Sequence, residues 1–194
     1  MHNQKIKRMV SIAFLMALVF VMQLLTGIIP PIGGFSISLV LIPIVMGAAL
    51  YGPGAGALLG ATFGIIVYIN CVTGADPGGA MVFQANPVLC LLVVLGKGIL
   101  AGSLAGLAYK LVSKWNSHVA MLCAAIVCPV VNTGFFIACM LTFFKDVLAA
   151  WAGGGDIIAY IMTGLILLNF VPELILNIVF GTVGHTIVHV VKSK

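Results

Sequence analysis

Polar side chains are so sparse along this chain that the apolar runs between them set its architecture. Six runs, bounded by Pro, Gly and charged residues, lie at 9–28, 37–51, 54–71, 87–109, 118–144 and 159–190. About 20 apolar residues cross a bilayer as a helix. Lipid offers no partner to a free backbone N–H or C=O, so spanning segments are helices or closed barrels. None of the runs alternates apolar and polar positions as a barrel strand does. The pattern predicts an all-α integral membrane protein, a compact bundle of six transmembrane helices forming one domain over residues 1–194.

Composition puts the chain outside the soluble range, with 62% hydrophobic and 7% charged residues and a mean hydropathy of +1.27. The basic stretch from His2 to Arg8 followed by an apolar run is shaped like a signal peptide, but no small-x-small cleavage site precedes Pro30, and a retained helix is expected. Lys5, Lys7 and Arg8 precede the first run, Lys110 and Lys114 follow the fourth, and Lys192 and Lys194 follow the last. With six spans these residues share one face, which the positive-inside rule makes cytoplasmic, together with both termini. Asp76, Lys145, Asp146 and Asp156 fall on the other face. The net charge of +5 thus follows from topology and gives no reason to expect a nucleic-acid partner.

The outer connections, 28–36, 72–86 and 145–158, are long and rich in Gly and Pro, as in Asp76-Pro77-Gly78-Gly79. They read as lids over an outward-facing pocket or as plain connectors. The second run is the odd one, short and with Pro43 in its middle, which frees a backbone carbonyl. Gly52, Gly56, Gly60 and Gly64 recur every fourth residue, as do Gly98, Gly102 and Gly106, the spacing of close helix contacts inside a bundle. Ala13 and Ala17 repeat the spacing in the first helix, where the face is free to meet another membrane subunit. The cysteines, Cys71, Cys90, Cys123, Cys128 and Cys139, contain no CxxC pair and read as apolar core thiols.

Two charges lie within apolar runs, Lys97 and Glu173. A charge at membrane depth is costly and usually marks function. Lys97 is about 15 Å from the outer end of its helix at about 1.5 Å per residue. Asn169, Glu173 and Asn177 are spaced by four along the last helix, and Asn132 and Thr133 sit midway along the fifth. Lys97, Asn132, Asn169, Glu173 and Asn177 are therefore candidates for the floor of a small-molecule site, with Lys97 meeting an anionic or carbonyl group. A Lys97–Glu173 ion pair that serves packing alone is the other reading. His185 and His189 lack a third metal ligand in the pattern and read as interfacial. The chain carries no phosphate-binding GxxxxGKS or GxxxxGKT loop, no GxSxG and no HExxH. It is not expected to be an enzyme, to hold a metal or to need a cofactor.

The assembled pattern resembles the substrate-binding membrane subunit, or S component, of an energy-coupling factor (ECF) vitamin transporter. The likeness runs over the whole chain. It rests on Ala13-x-x-x-Ala17, on ISLVLIPIVMG from Ile37 to Gly47 leading into YGPGAGALLG from Tyr51 to Gly60, and on LGKGILAG from Leu95 to Gly102. The resemblance implies a bacterial cell-membrane importer subunit. It would bind a water-soluble vitamin from outside, contact an ECF transmembrane coupling subunit through Ala13 and Ala17, and depend on two cytoplasmic ATPases. In the family's mechanism the subunit topples in the bilayer to release its substrate.

Among vitamins, a midplane Lys97 suits the carboxylate of pantothenate, with riboflavin next; the small number of aromatic residues near the polar positions argues against a stacked ring system. A self-sufficient secondary transporter using Lys97 and Glu173 as a relay is the competing class. A membrane assembly factor that only binds partners is the third.

Overall fold

The computed structural model of the chain describes residues 2–28 and 39–192, all of them helical or in short turns. In order these are α1 (His2–Ile28), α2 (Leu41–Tyr51), α3 (Pro53–Thr73), α4 (Pro77–Ala85), α5 (Pro87–Val112), α6 (Ser117–Phe143), α7 (Lys145–Trp151) and α8 (Ile157–Tyr160). A π-helical stretch, Ile161–Phe170, then runs into α9 (Val171–Lys192). Local chemistry sets several of these boundaries. Gly52, at φ 90°, separates α2 from α3, and Pro53 occupies the first turn of α3, where its missing N–H costs nothing. Asn86 Oδ1 accepts from the Leu89 N–H (3.0 Å) to start α5, and Asn116 Oδ1 accepts from the His118 N–H (2.8 Å) to start α6. Each such cap is worth about 1 kcal/mol.

Five helical stretches among the described residues are long and apolar enough to cross a membrane: Gln4–Thr26, Pro53–Thr73, Pro87–Val112, Ser117–Phe143 and Ile157–Thr186. The expectation of six spans is corrected at its second member. α2 has 11 residues and reaches about 16 Å, against a hydrocarbon core of about 30 Å. Pro43 is the reason on the N-terminal side: without an N–H, and crowding the preceding turn, it belongs in the first turn of a helix. It stands in the first turn of α2, so it does not break a longer helix in its middle. The Pro30–Gly34 segment lies outside the described residues.

The bundle is organised on α3 and α5. Its glycine ladders face each other in antiparallel register: a methyl placed on Gly60 would strike the Gly98 carbonyl, and one on Gly56 the Gly102 carbonyl. At the end of the ladder a methyl on Gly106 would lie 2.7 Å from Pro53 Cα. Small residues let backbones approach where lipid gives little hydrophobic drive for helix association. α6 packs on the other side of α5, α9 packs on α6 and α2, and α1 lies against α2 and α3. Only 22% of the α1 span is buried, so it borders the bundle.

One end of the bundle gathers the start of α1, the α2–α3 junction, the α5–α6 link and the distal part of α9. Arg8 Nη2 donates to the Tyr51 carbonyl (3.2 Å). His185 Nε2 and Ser117 Oγ are 3.2 Å apart, and His185 stacks on His118 with centroids 3.5 Å apart. His185 is thus buried against the start of α6 at this end of the bundle, while the His189 side chain lies outside the description. At the opposite end the connections 72–86 and 145–158 contain the short helices α4 and α7, which touch each other.

Candidate functional site

Lys97 leaves α5 one residue before Gly98, where α3 approaches most closely. Its ammonium lies 5.4 Å from the centroid of Phe63 on α3 and 5.1 Å from that of Phe136 on α6. Both distances are within the range of cation–π attraction, about 6 Å. The stack continues outward: Phe136 and Trp151 of α7 are stacked with centroids 6.4 Å apart. A methyl on Gly78 of α4 would lie 3.4 Å from the Trp151 ring. A column of Lys97, Phe136, Trp151 and Gly78 therefore runs from the interior to the helices of the loop end. Aromatic rings from α3 and α6 flank Lys97, and one from α7 stacks on Phe136, each brought from a distant part of the chain.

Glu173 and Asp76 are the carboxylates near enough to act electrostatically on Lys97. Glu173 is 2% exposed and stands in the first turn of α9, which packs on α6. Lys97 on α5, Asn132 on α6, and Glu173 with Asn177 on α9 are carried by neighbouring helices, α6 packing on both α5 and α9. Asn177 is buried beside Glu173 and its Nδ2 donates to the Glu173 carbonyl (2.9 Å). Asn169 departs from this buried face. It lies in the π stretch, whose last turn is closed by a bond from the Val171 N–H to the Ile166 carbonyl, five residues back. That wider register interrupts the four-residue repeat, and Asn169 is partly exposed. The π stretch ends against Pro172, which has no N–H to continue the ladder.

Asn132 and Asn177 are buried, at 6% and 2% exposure. The Oδ1 atom of each has no hydrogen-bond partner among the described residues. Most buried polar atoms are paired, so these two acceptors are each able to take a donor from a small molecule. No group of three metal-ligating side chains occurs among the described residues. Ala13 and Ala17 lie exposed on α1, in a strip with Met9, Val10 and Phe14, which are 63–70% exposed.

Comparison with known proteins agrees with this architecture. The sequence model of one family, described as ECF transporter, substrate-specific component, matches residues 7–184. The chain is also similar to the pantothenic acid transporter PanT of Lactococcus lactis subsp. cremoris (strain MG1363), with 22% identity over 192 residues, covering 94% of this chain and 93% of the relative. The chain belongs to the family of substrate-specific components of ECF transporters, and is accordingly a multi-pass, non-catalytic subunit of the bacterial cell membrane.

Proposed function

We propose that this substrate-specific component captures pantothenate from outside the cell and holds it between α5, α6 and α9. The observation that carries the reading is the placing of Lys97 beside Phe63 and Phe136, within electrostatic reach of Glu173. Pantothenate presents a carboxylate, an amide, two hydroxyls and a compact apolar centre. Lys97 takes the carboxylate in a charge-assisted contact. Asn132 and Asn177 accept from hydroxyl or amide donors, Glu173 accepts from a hydroxyl, and Asn169 closes the site from the π stretch. The similarity to a pantothenic acid transporter over nearly the whole chain supports the same substrate.

In this reading α4 and α7 cover the outward mouth, and the basic end, with Arg8, Lys110 and Lys114, faces the cytoplasm. Ala13 and Ala17 meet the ECF transmembrane coupling subunit, which links the chain to two ATPases. Riboflavin is the second reading, favoured by the flat faces of Phe63, Phe136 and Trp151.

The test is thermal unfolding of the purified chain with a panel of vitamins, since a ligand that binds the folded state raises stability with its concentration over Kd. A concentration-dependent rise with pantothenate alone supports the proposal. A rise with riboflavin and none with pantothenate transfers the site to the second reading, and no response from folded protein overturns both.

A further inference from the structure

Cys71, in the last turn of α3, and Cys90, in the first turns of α5, are 2% and 0% exposed. Both stand on the faces that α3 and α5 turn to each other, Cys71 seven residues beyond Gly64 and Cys90 four residues before Val94. The glycine ladder explains the meeting. Gly60 is set against Gly98, and a methyl on Gly64 would lie 2.6 Å from the Val94 carbonyl, so the next turns outward bring residues 68–71 beside residue 90. A disulfide requires a Cα–Cα separation of about 5.5 Å, and the close approach of the two backbones draws facing positions toward it. Between the two cysteines in sequence lies α4, and it sits directly on this pair: a methyl on Gly79 would strike Cys71 Sγ. The remaining thiols, Cys123, Cys128 and Cys139, all belong to α6.

We infer that Cys71 and Cys90 are an oxidisable dithiol that closes to an interhelical disulfide at the base of the loop carrying α4. The two S–H bonds break and one S–S bond forms. Two electrons and two protons pass to the oxidant, which for an azo compound becomes the hydrazine. The bond joins the two ends of the α4 segment at the face remote from Arg8 and His185, and it leaves the ladder contacts as they are. α4 covers Cys71, so movement of this helix controls how fast the pair is oxidised. A closed loop also restricts the unfolded chain, so the oxidised protein unfolds at a higher temperature.

The experiment treats the full-length protein, in detergent, with the azo oxidant diamide, alkylates it after denaturation and maps its peptides by mass spectrometry. The expected result is the loss of two of the five alkylation sites and a peptide joining Cys71 to Cys90, reversed by dithiothreitol. Cys71→Ala and Cys90→Ala each abolish that peptide, whereas Cys123→Ala leaves it. The wild-type map stands whether or not a variant folds. Retention of all five alkylation sites, or a bond from either cysteine to one in α6, overturns the inference.

Discussion

The Lys97 ammonium lies 5.1 Å from the centre of the Phe136 ring, so the cation midway along α5 rests against an aromatic face from α6. Cation–π contact of this kind is worth about 0.5–2 kcal/mol. It gives Lys97 a defined position in the absence of ligand. Replacing Lys97 with Met is expected to raise the Kd for pantothenate by about 30-fold, the loss of about 2 kcal/mol from a hydrogen bond to a charged group. The ligand-free protein should also unfold at a lower temperature, because the buried Glu173 is left without its nearby opposite charge. Titration calorimetry and thermal unfolding on the same sample check both. Unchanged affinity with lowered stability would assign Lys97 to packing.

Asn132→Leu and Asn177→Leu separate binding from folding in another way. Each removes a buried acceptor that has no partner among the described residues. For Asn132→Leu the ligand-free stability is expected to change by less than about 1 kcal/mol. Ligand affinity should fall by about 1–3 kcal/mol as a donor on the ligand loses its acceptor. Asn177→Leu should show the same affinity loss with a larger stability cost, since it also deletes the bond to the Glu173 carbonyl. The measurement is the ligand-induced shift in unfolding temperature for each variant.

Gly60→Leu drives a side chain into the Gly98 carbonyl and is expected to abolish folded protein or lower its stability by at least about 3 kcal/mol. Gly134→Ala is the matched control. A methyl there meets nothing within 4 Å, and the residue is an exposed position of α6. It should change stability by about 0.5–1 kcal/mol at most, in the favourable direction. Size-exclusion profiles and unfolding curves distinguish the two.

Ala13→Leu with Ala17→Leu enlarges two exposed positions of α1 without touching the bundle interior. Pantothenate binding by the isolated chain should stay unchanged, while uptake by vesicles holding the complete transporter falls at least about tenfold. Equal loss of binding would place the strip in the fold rather than at a partner. Imposing a proton gradient on vesicles with this chain alone should give no accumulation, whereas a relay through Lys97 and Glu173 would give it.

Much of the bundle is legible from local pattern. The limits of α3, α5 and α6 fall within a few residues of the apolar runs, because Gly52, Pro53, Asn86, Pro87 and Asn116 punctuate those runs. The ladders of α3 and α5 were readable because a four-residue glycine repeat has few uses inside a membrane other than close approach. The second run is apolar over the length of a span, but a helix extends little ahead of Pro43, so apolarity alone overstates it. The π stretch was invisible, since its composition is that of any apolar helix, and with it went the phase of Asn169 relative to Glu173. The column of Lys97, Phe136 and Trp151 joins residues 54 positions apart in sequence between its ends. No periodicity within one element reports such a meeting. The His118–His185 stack is hidden for the same reason.

The contact between α3 and α5 is made of carbonyls and Cα atoms, so it contains almost no rotamers that can readjust. Sliding one helix along the other by a fraction of a turn would set every remaining side chain against backbone. The next matching position is a whole glycine spacing away, about 6 Å along the axis. This pair is therefore the keel of the molecule. Any opening that admits a substrate or hands it on must be made by the elements around the keel, namely α1, α2, α4 and α6, which rest on it, and α7 and α9, which rest on those.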